Sequence, residues 1–164
     1  MTQRQEFKVL KTYTNFELRE YLPCVIAEVK VKASYDNASG MAFGSLFKYI
    51  SKGNQTSQKI SMTAPVIAAQ HDNKIDSDEW SISFVMPAGS KFHNLPNPND
   101  PQVKLRELDT ETCVATSFRG RATSALSQKK ALELRSAAAK ENIALSTETR
   151  ICRFDPPFKP GFLQ

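Results

Sequence analysis

Two short clusters hold the side chains best suited to act together. In the first, Phe43 and Phe47 stand four residues apart with Lys48 beside them; in the second, Phe154, Phe158 and Lys159 fall close together near the C-terminus. At helical spacing Phe43 and Phe47 share one face. Aromatic walls with two ammonium groups at the rim suit a flat, apolar ligand that carries carboxylates. The other reading of the same residues is core phenylalanines and solvated lysines. Either way the chemistry on offer is binding.

Catalytic constellations are lacking. The two histidines, His71 and His93, sit in polar stretches, and no GxSxG, HExxH or glycine-rich phosphate loop occurs. Asp72, Asp76, Asp78 and Glu79 do not keep EF-hand spacing and read as a solvated connection. Cys24, Cys113 and Cys152 are far apart with no CxxC pair, which argues for reduced thiols packed as small hydrophobes and against structural zinc. An enzyme is not expected.

The 164 residues, 40% hydrophobic and 24% charged, fit a single domain over 1–164 with its own core. The formal charge of +5 comes from scattered Lys and Arg, so no nucleic-acid partner is expected. No apolar run approaches the roughly 20 residues that span a bilayer. The opening MTQRQEFKVL lacks the apolar segment of a secretory signal, and the expected location is cytoplasmic.

The elements that must position these residues are legible from periodicity. Strands are expected over Phe7–Tyr13, Phe16–Tyr21 and Cys24–Val31. Asp36 to Ser39 supply N-cap residues for a helix whose Phe43, Leu46, Phe47 and Ile50 recur at i, i+3, i+4 and i+7; Gly53-Asn54 stops it. Lys59 to Pro87 reads as a hairpin at the centre of the core. Ile60, Met62, Ala64 and Val66 alternate in one half and Trp80, Ile82, Phe84 and Met86 in the other, the mark of half-buried strands. After a proline-rich loop come strands over Val103–Leu108 and Thr112–Phe118. A second helix is capped by Ser124 and runs to about Asn142, and a last strand covers Glu148–Phe154.

Leu18-Arg19-Glu20 recurs as Leu105-Arg106-Glu107, and Cys24-Val25 as Cys113-Val114, each time ahead of a helix. This suggests a duplication with halves of roughly 16–87 and 103–164. Two such halves give an α+β domain: antiparallel sheet curled toward a barrel, with two helices outside.

FELREYLP, FKYISKGN, KISMTAPV, WSISFVMP and RFDPPFKP, in that order, resemble the SOUL / haem-binding protein family. The resemblance covers nearly the whole chain. It implies two βαββ-like repeats forming a distorted antiparallel β-barrel flanked by two α-helices. It further implies reversible binding of haem or another tetrapyrrole in an exposed hydrophobic cleft, near Phe43, Phe47 and Phe154, with Lys48 and Lys159 at the porphyrin carboxylates. Such a protein buffers, carries or senses free porphyrin. The alternative is a protein-interaction or small-molecule-sensing module, including a cell-death-regulating role, with incidental haem binding; a hydrolase in the same cleft is a third reading, without a motif.

Four departures stand out. The family's arginine earlier on the first helix is replaced near Gly40. The histidine proposed as axial iron ligand in one branch is replaced by Glu20, leaving Cys24, Met41 and Met62 as candidate ligands. The RNEVW-like strand that usually follows the proline-rich turn is not found, which would leave a sheet edge open. The acidic residue of the cell-death motif on the second helix is also missing from LELRSAAAKEN.

Overall fold

A computed structural model of the chain describes residues 3–70 and 78–154. The elements run β1 (Gln3–Arg4), β2 (Phe7–Thr12), β3 (Glu17–Tyr21), β4 (Cys24–Lys32), α1 (Tyr35–Ile50), β5 (Thr63–Ala64), β6 (Val66–Gln70) and β7 (Glu79–Val85). A 3-10 turn (Phe92–Asn94), β8 (Lys104–Leu108), β9 (Glu111–Ala115), α2 (Ser124–Lys140) and β10 (Thr149–Arg153) complete the order.

The architecture is α+β. One five-stranded antiparallel sheet has the order β10-β6-β7-β4-β8, and a three-stranded antiparallel sheet has the order β2-β3-β9. A short parallel pair joins β1 to β5. The sheets do not close into a barrel among the described residues: no ladder links β9 to β10 or β8 to the smaller sheet.

The β6–β7 hairpin does sit at the centre, with β7 as middle strand of the larger sheet. Its burial differs from the expectation. Alternation predicts a half-buried strand, yet Trp80 to Val85 are all buried. Trp80, Ile82 and Phe84 join the main core beneath α1, whereas Val85 packs in a smaller cluster with Ile26, Ile67, Ala69 and Leu108. Ser81 and Ser83 occupy the second face as small residues in a tight layer. Both faces are covered, so polarity alternates where burial does not.

Helix α1 starts earlier than its polar residues suggest. Ser34 is the extended N-cap, so Asp36 falls in the first turn, where its charge complements the helix dipole. The expected apolar face also divides. Leu46 and Ile50 are buried with Tyr35, Ala38, Ala42 and Tyr49, while Phe47 is outside.

The end of α1 is fixed by backbone contacts. The Gly53 N–H donates to Lys48 O at 2.7 Å, and a Cβ on Gly53 would clash with that same backbone oxygen, so the site admits glycine alone. Asn54, fully buried, donates to Tyr49 O and Gln58 O and accepts from the Gln58 N–H. Tyr49 then donates from its hydroxyl to Pro96 O at 2.8 Å, joining the helix to the long loop.

Burial pushes the Tyr49 phenol up to about 12 from an ordinary value of 10.0. The unfolded chain therefore ionises this group first. Stability from the neutral phenol is present below pH 10 and is lost as pH rises toward 12. Urea midpoints measured across this range should fall less steeply for Tyr49→Phe. At neutral pH that variant should be about 1 kcal/mol weaker, because Pro96 O loses its donor. An alkaline profile identical to that of the parent chain would count against the assignment.

Helix α2 is capped by Thr123, one residue before Ser124; its Oγ1 accepts from the Leu126 N–H at 3.2 Å. Only Ser127 and Ala138 on α2 are buried, and Leu132 is 61% exposed. The helix ends at Lys140, with Asn142 beyond it at φ 61°.

Candidate functional site

On the outward face of α1, helical spacing sets a low strip of glycine backbone between taller side chains, a shallow groove open to solvent. Gly40 and Gly44, one turn apart, are both exposed, and a Cβ at either would meet nothing within 4 Å. On one side of this floor stand Phe43 and Phe47, with rings stacked at 5.7 Å and 16° between planes. On the other stand Met41 and Lys48, both exposed and two turns apart. Phe47 is 48% and Met41 59% exposed, unusual for large apolar side chains on a helix that has a core to face.

Phe43 anchors the groove to the interior. Its ring meets Phe84 of β7 edge-on, with centroids 5.5 Å apart, while its other side meets Phe47. Past Phe47 and Lys48 the surface dips into a recess against Gly53, Asn99 and Asp100 of the long loop. Lys48 lies in the last turn of the helix, where carbonyls favour a cation. A planar apolar molecule can therefore rest on glycine backbone between two ridges, with an ammonium group at the edge for a carboxylate.

Of the residues expected at one site, Phe43, Phe47 and Lys48 come together. Lys159 and Phe158 lie outside the described residues, as does His71. Phe154 lies elsewhere. The Arg4 guanidinium sits 4.9 Å from its ring centroid, and the ring lines a second cavity to which no α1 residue contributes. The period of β10 separates the two: Arg153 donates to the Tyr35 hydroxyl on the α1 side, while Cys152 packs in the smaller cluster on the other. His93 is exposed in the 3-10 turn.

The candidate axial ligands also separate: Cys24 packs in the smaller cluster, Met62 is partly buried against the main core, and Met41 is at the groove, while Glu20, at the place of the branch's histidine, is on β3. No group of three or more His, Cys, Asp or Glu among the described residues is arranged to hold a metal ion.

The second cavity, 540 Å³, lies between β9, β10 and α2. Cys113 and Cys152 both border it, a convergence of strands that the spacing in the chain does not reveal. Burial pushes both thiols up, Cys152 to about 11. Arg150, the charge at one end, is held between Glu111 at 2.6 Å and Glu148 at 3.1 Å, and its two carboxylate partners keep it protonated despite burial. The two α1 glycines are the functional candidates that the sequence reading passed over. Their signal is an i, i+4 glycine pair inside an otherwise helical pattern.

Known proteins resemble this chain along most of its length. The description "SOUL heme-binding protein" matches over residues 2–164. The chain is 28% identical over 147 residues to Heme-binding protein 1 of Xenopus laevis, covering 88% of this chain and 77% of that protein. It is also 28% identical over 127 residues to Heme-binding protein 1 of Mus musculus, covering 76% and 67%. Among solved structures it is similar in fold to the EcmrR C-terminal domain (TM-score 0.66, 12% identity, 93% of this chain and 87% of that one). A hydrolase from Listeria innocua is similar at TM-score 0.56 and 11% identity, over 94% and 90%. With a family match along nearly its whole length, the chain belongs to the SOUL haem-binding protein family.

Proposed function

We propose that this protein binds haem or a related tetrapyrrole reversibly on the α1 groove, as a buffer, carrier or sensor and not as an enzyme. The observation that carries the reading is the pair of exposed, stacked rings beside an open glycine floor, with Lys48 at the edge. The matches named Heme-binding protein 1 support the ligand class. Stacked aromatics supply one face, close approach to backbone supplies the floor, and the ammonium group meets a propionate. An exposed charge of that kind contributes about 0–1 kcal/mol.

If iron is ligated from the groove, Met41 is the side chain to supply it; thioethers are established haem ligands and a Glu20 carboxylate is not among the usual ones. Lys159 remains a second candidate for the carboxylates. No helix among the described residues is long and apolar enough to cross a membrane, in keeping with action on a ligand met in solution.

Haemin titrated into the protein should give a saturable shift of the Soret band. Lys48→Glu should weaken it about two- to fivefold, with far-UV dichroism unchanged. Met41→Leu should alter the band position if the thioether is a ligand. The absence of any saturable shift would refute haem binding; a shift indifferent to Phe47→Asp and Lys48→Glu together would move it away from α1.

A further inference from the structure

We propose, resting on the α1 groove as a tetrapyrrole site, that Lys52 holds a ligand carboxylate beside Lys48. The groove therefore selects tetrapyrroles whose carboxylates lie together on one edge of the ring.

Lys48 and Lys52 both line the 580 Å³ recess past the end of α1, and both are exposed. Neither is held in an ion pair among the described residues. Asp100 is the one acidic residue among those described at the recess. Its Oδ1 accepts from the Gln102 N–H at 2.8 Å, within its own loop. Two ammonium groups against one carboxylate leave the recess positive, and Ser45 and Ser51 add hydroxyls to its wall. A carboxylate that enters meets cations that give up no other partner.

The backbone at Lys52 is a separate observation. The Gly53 N–H closes the turn on Lys48 O, which makes Lys52 the residue just past the helix C-cap, Ser51. Lys52 takes φ 82°, in the left-handed region. Glycine is the usual occupant of such a position, because a side chain there strains the backbone. Lysine therefore costs the fold something that glycine would not. No packing returns it, since Lys52 is exposed and belongs to neither core cluster. A strained residue kept at the rim of an open site, with nothing packed on it, points to a ligand contact. The same turn keeps Lys52 close to Lys48, so both ammonium groups can meet one ring edge.

The other end of the groove has the opposite character. Beside Gly40 stands Met41, and one turn further come Asn37 and Asp36, all exposed. A helix N-terminus favours an anion, and Asp36 in the first turn already supplies one. Asp36 and Lys48 are separated by about 18 Å of helix at the usual rise per residue. A ring seated over Gly40 and Gly44 thus has a thioether and a carboxylate toward one edge and two ammonium groups toward the other. Methyl and vinyl groups suit the first edge, carboxylates the second. A ring with carboxylates all round must set some toward Asp36, where like charges repel.

The test titrates two porphyrins into the whole purified chain and follows their Soret bands. Protoporphyrin IX has its carboxylates on one edge; uroporphyrin has them all round. Lys52→Gly restores the residue the turn prefers, so the variant should melt higher, yet bind protoporphyrin IX about two- to fivefold more weakly. Lys52→Arg, with charge and side chain kept, should bind as the parent does. Asp36→Lys should strengthen uroporphyrin about two- to fivefold and leave protoporphyrin IX within about twofold of the parent. Protoporphyrin IX affinity unchanged in Lys52→Gly, while Lys48→Glu still weakens it, overturns the role of Lys52 and leaves the groove standing. A loss in Lys52→Arg as large as in Lys52→Gly also overturns it, because charge would then not be what matters. Uroporphyrin affinity indifferent to Asp36→Lys overturns the selection by edge. A parent chain that binds neither porphyrin overturns the groove as a tetrapyrrole site, and the role of Lys52 falls with it.

Discussion

Phe84→Ala should lower the stability of the chain by about 3–5 kcal/mol, the largest loss expected from a single substitution outside the backbone-locked turn. Phe84 is 1% exposed on the central strand of the larger sheet, in the core layer beneath α1. Removing the ring leaves a cavity between two elements that are held from several sides and cannot collapse onto it. The effect reaches the surface. Phe43 rests edge-on against Phe84, and without that support its ring can sink from the groove wall. Urea unfolding should report the stability loss, and haemin titration well below the midpoint should show weaker binding while the fold persists. A loss under about 1 kcal/mol would mean that the layer repacks freely, and would contradict the packing described here.

Gly44→Leu should change stability and binding in opposite directions. A mid-helix glycine costs about 0.5–1 kcal/mol relative to alanine, and leucine is a similarly good helix former. Nothing in the chain excludes a side chain there, since a Cβ on Gly44 meets no atom within 4 Å. The folded chain therefore gives no packing reason for glycine, and the variant should melt higher. A leucine would, however, stand on the floor between Phe47 and Lys48, where a flat ring must lie. Haemin affinity should fall about tenfold or more, as expected when a well-fitted apolar contact is blocked. Higher melting with unchanged affinity would show that the ligand does not rest on this face.

Much of the fold was legible because hydrophobic period and turn chemistry agree along this chain. The strands at Cys24–Lys32 and Glu79–Val85, and both helices, fall within a few residues of expectation. What escaped has physical causes. Phe43, Leu46, Phe47 and Ile50 look like one apolar stripe, but the core takes the Leu46–Ile50 side and leaves Phe47 in solvent; period alone does not say where a stripe ends. The serines of β7 read as solvent-facing because alternation reports polarity, whereas a small hydroxyl can be buried where layers are close. At the site, Phe43, Phe47 and Lys48 could be grouped from sequence since one helix holds them. Phe154 could not be placed, because which face a strand end presents depends on pairing across the chain, and β10 pairs with β6 from the other half. For the same reason the meeting of Cys113 with Cys152 at one cavity was invisible.

The single tryptophan gives this architecture a built-in optical consequence. Trp80 is buried on β7 against Tyr35, within the core layer that α1 covers. Its emission overlaps the absorption of a porphyrin, and excitation transfer falls steeply with separation. A tetrapyrrole seated on the outer face of α1 is one helix away from the indole and should extinguish its fluorescence almost completely. A ligand that does not absorb in that range should leave the emission bright. The unmodified chain therefore carries its own gauge of tetrapyrrole binding, without an added label.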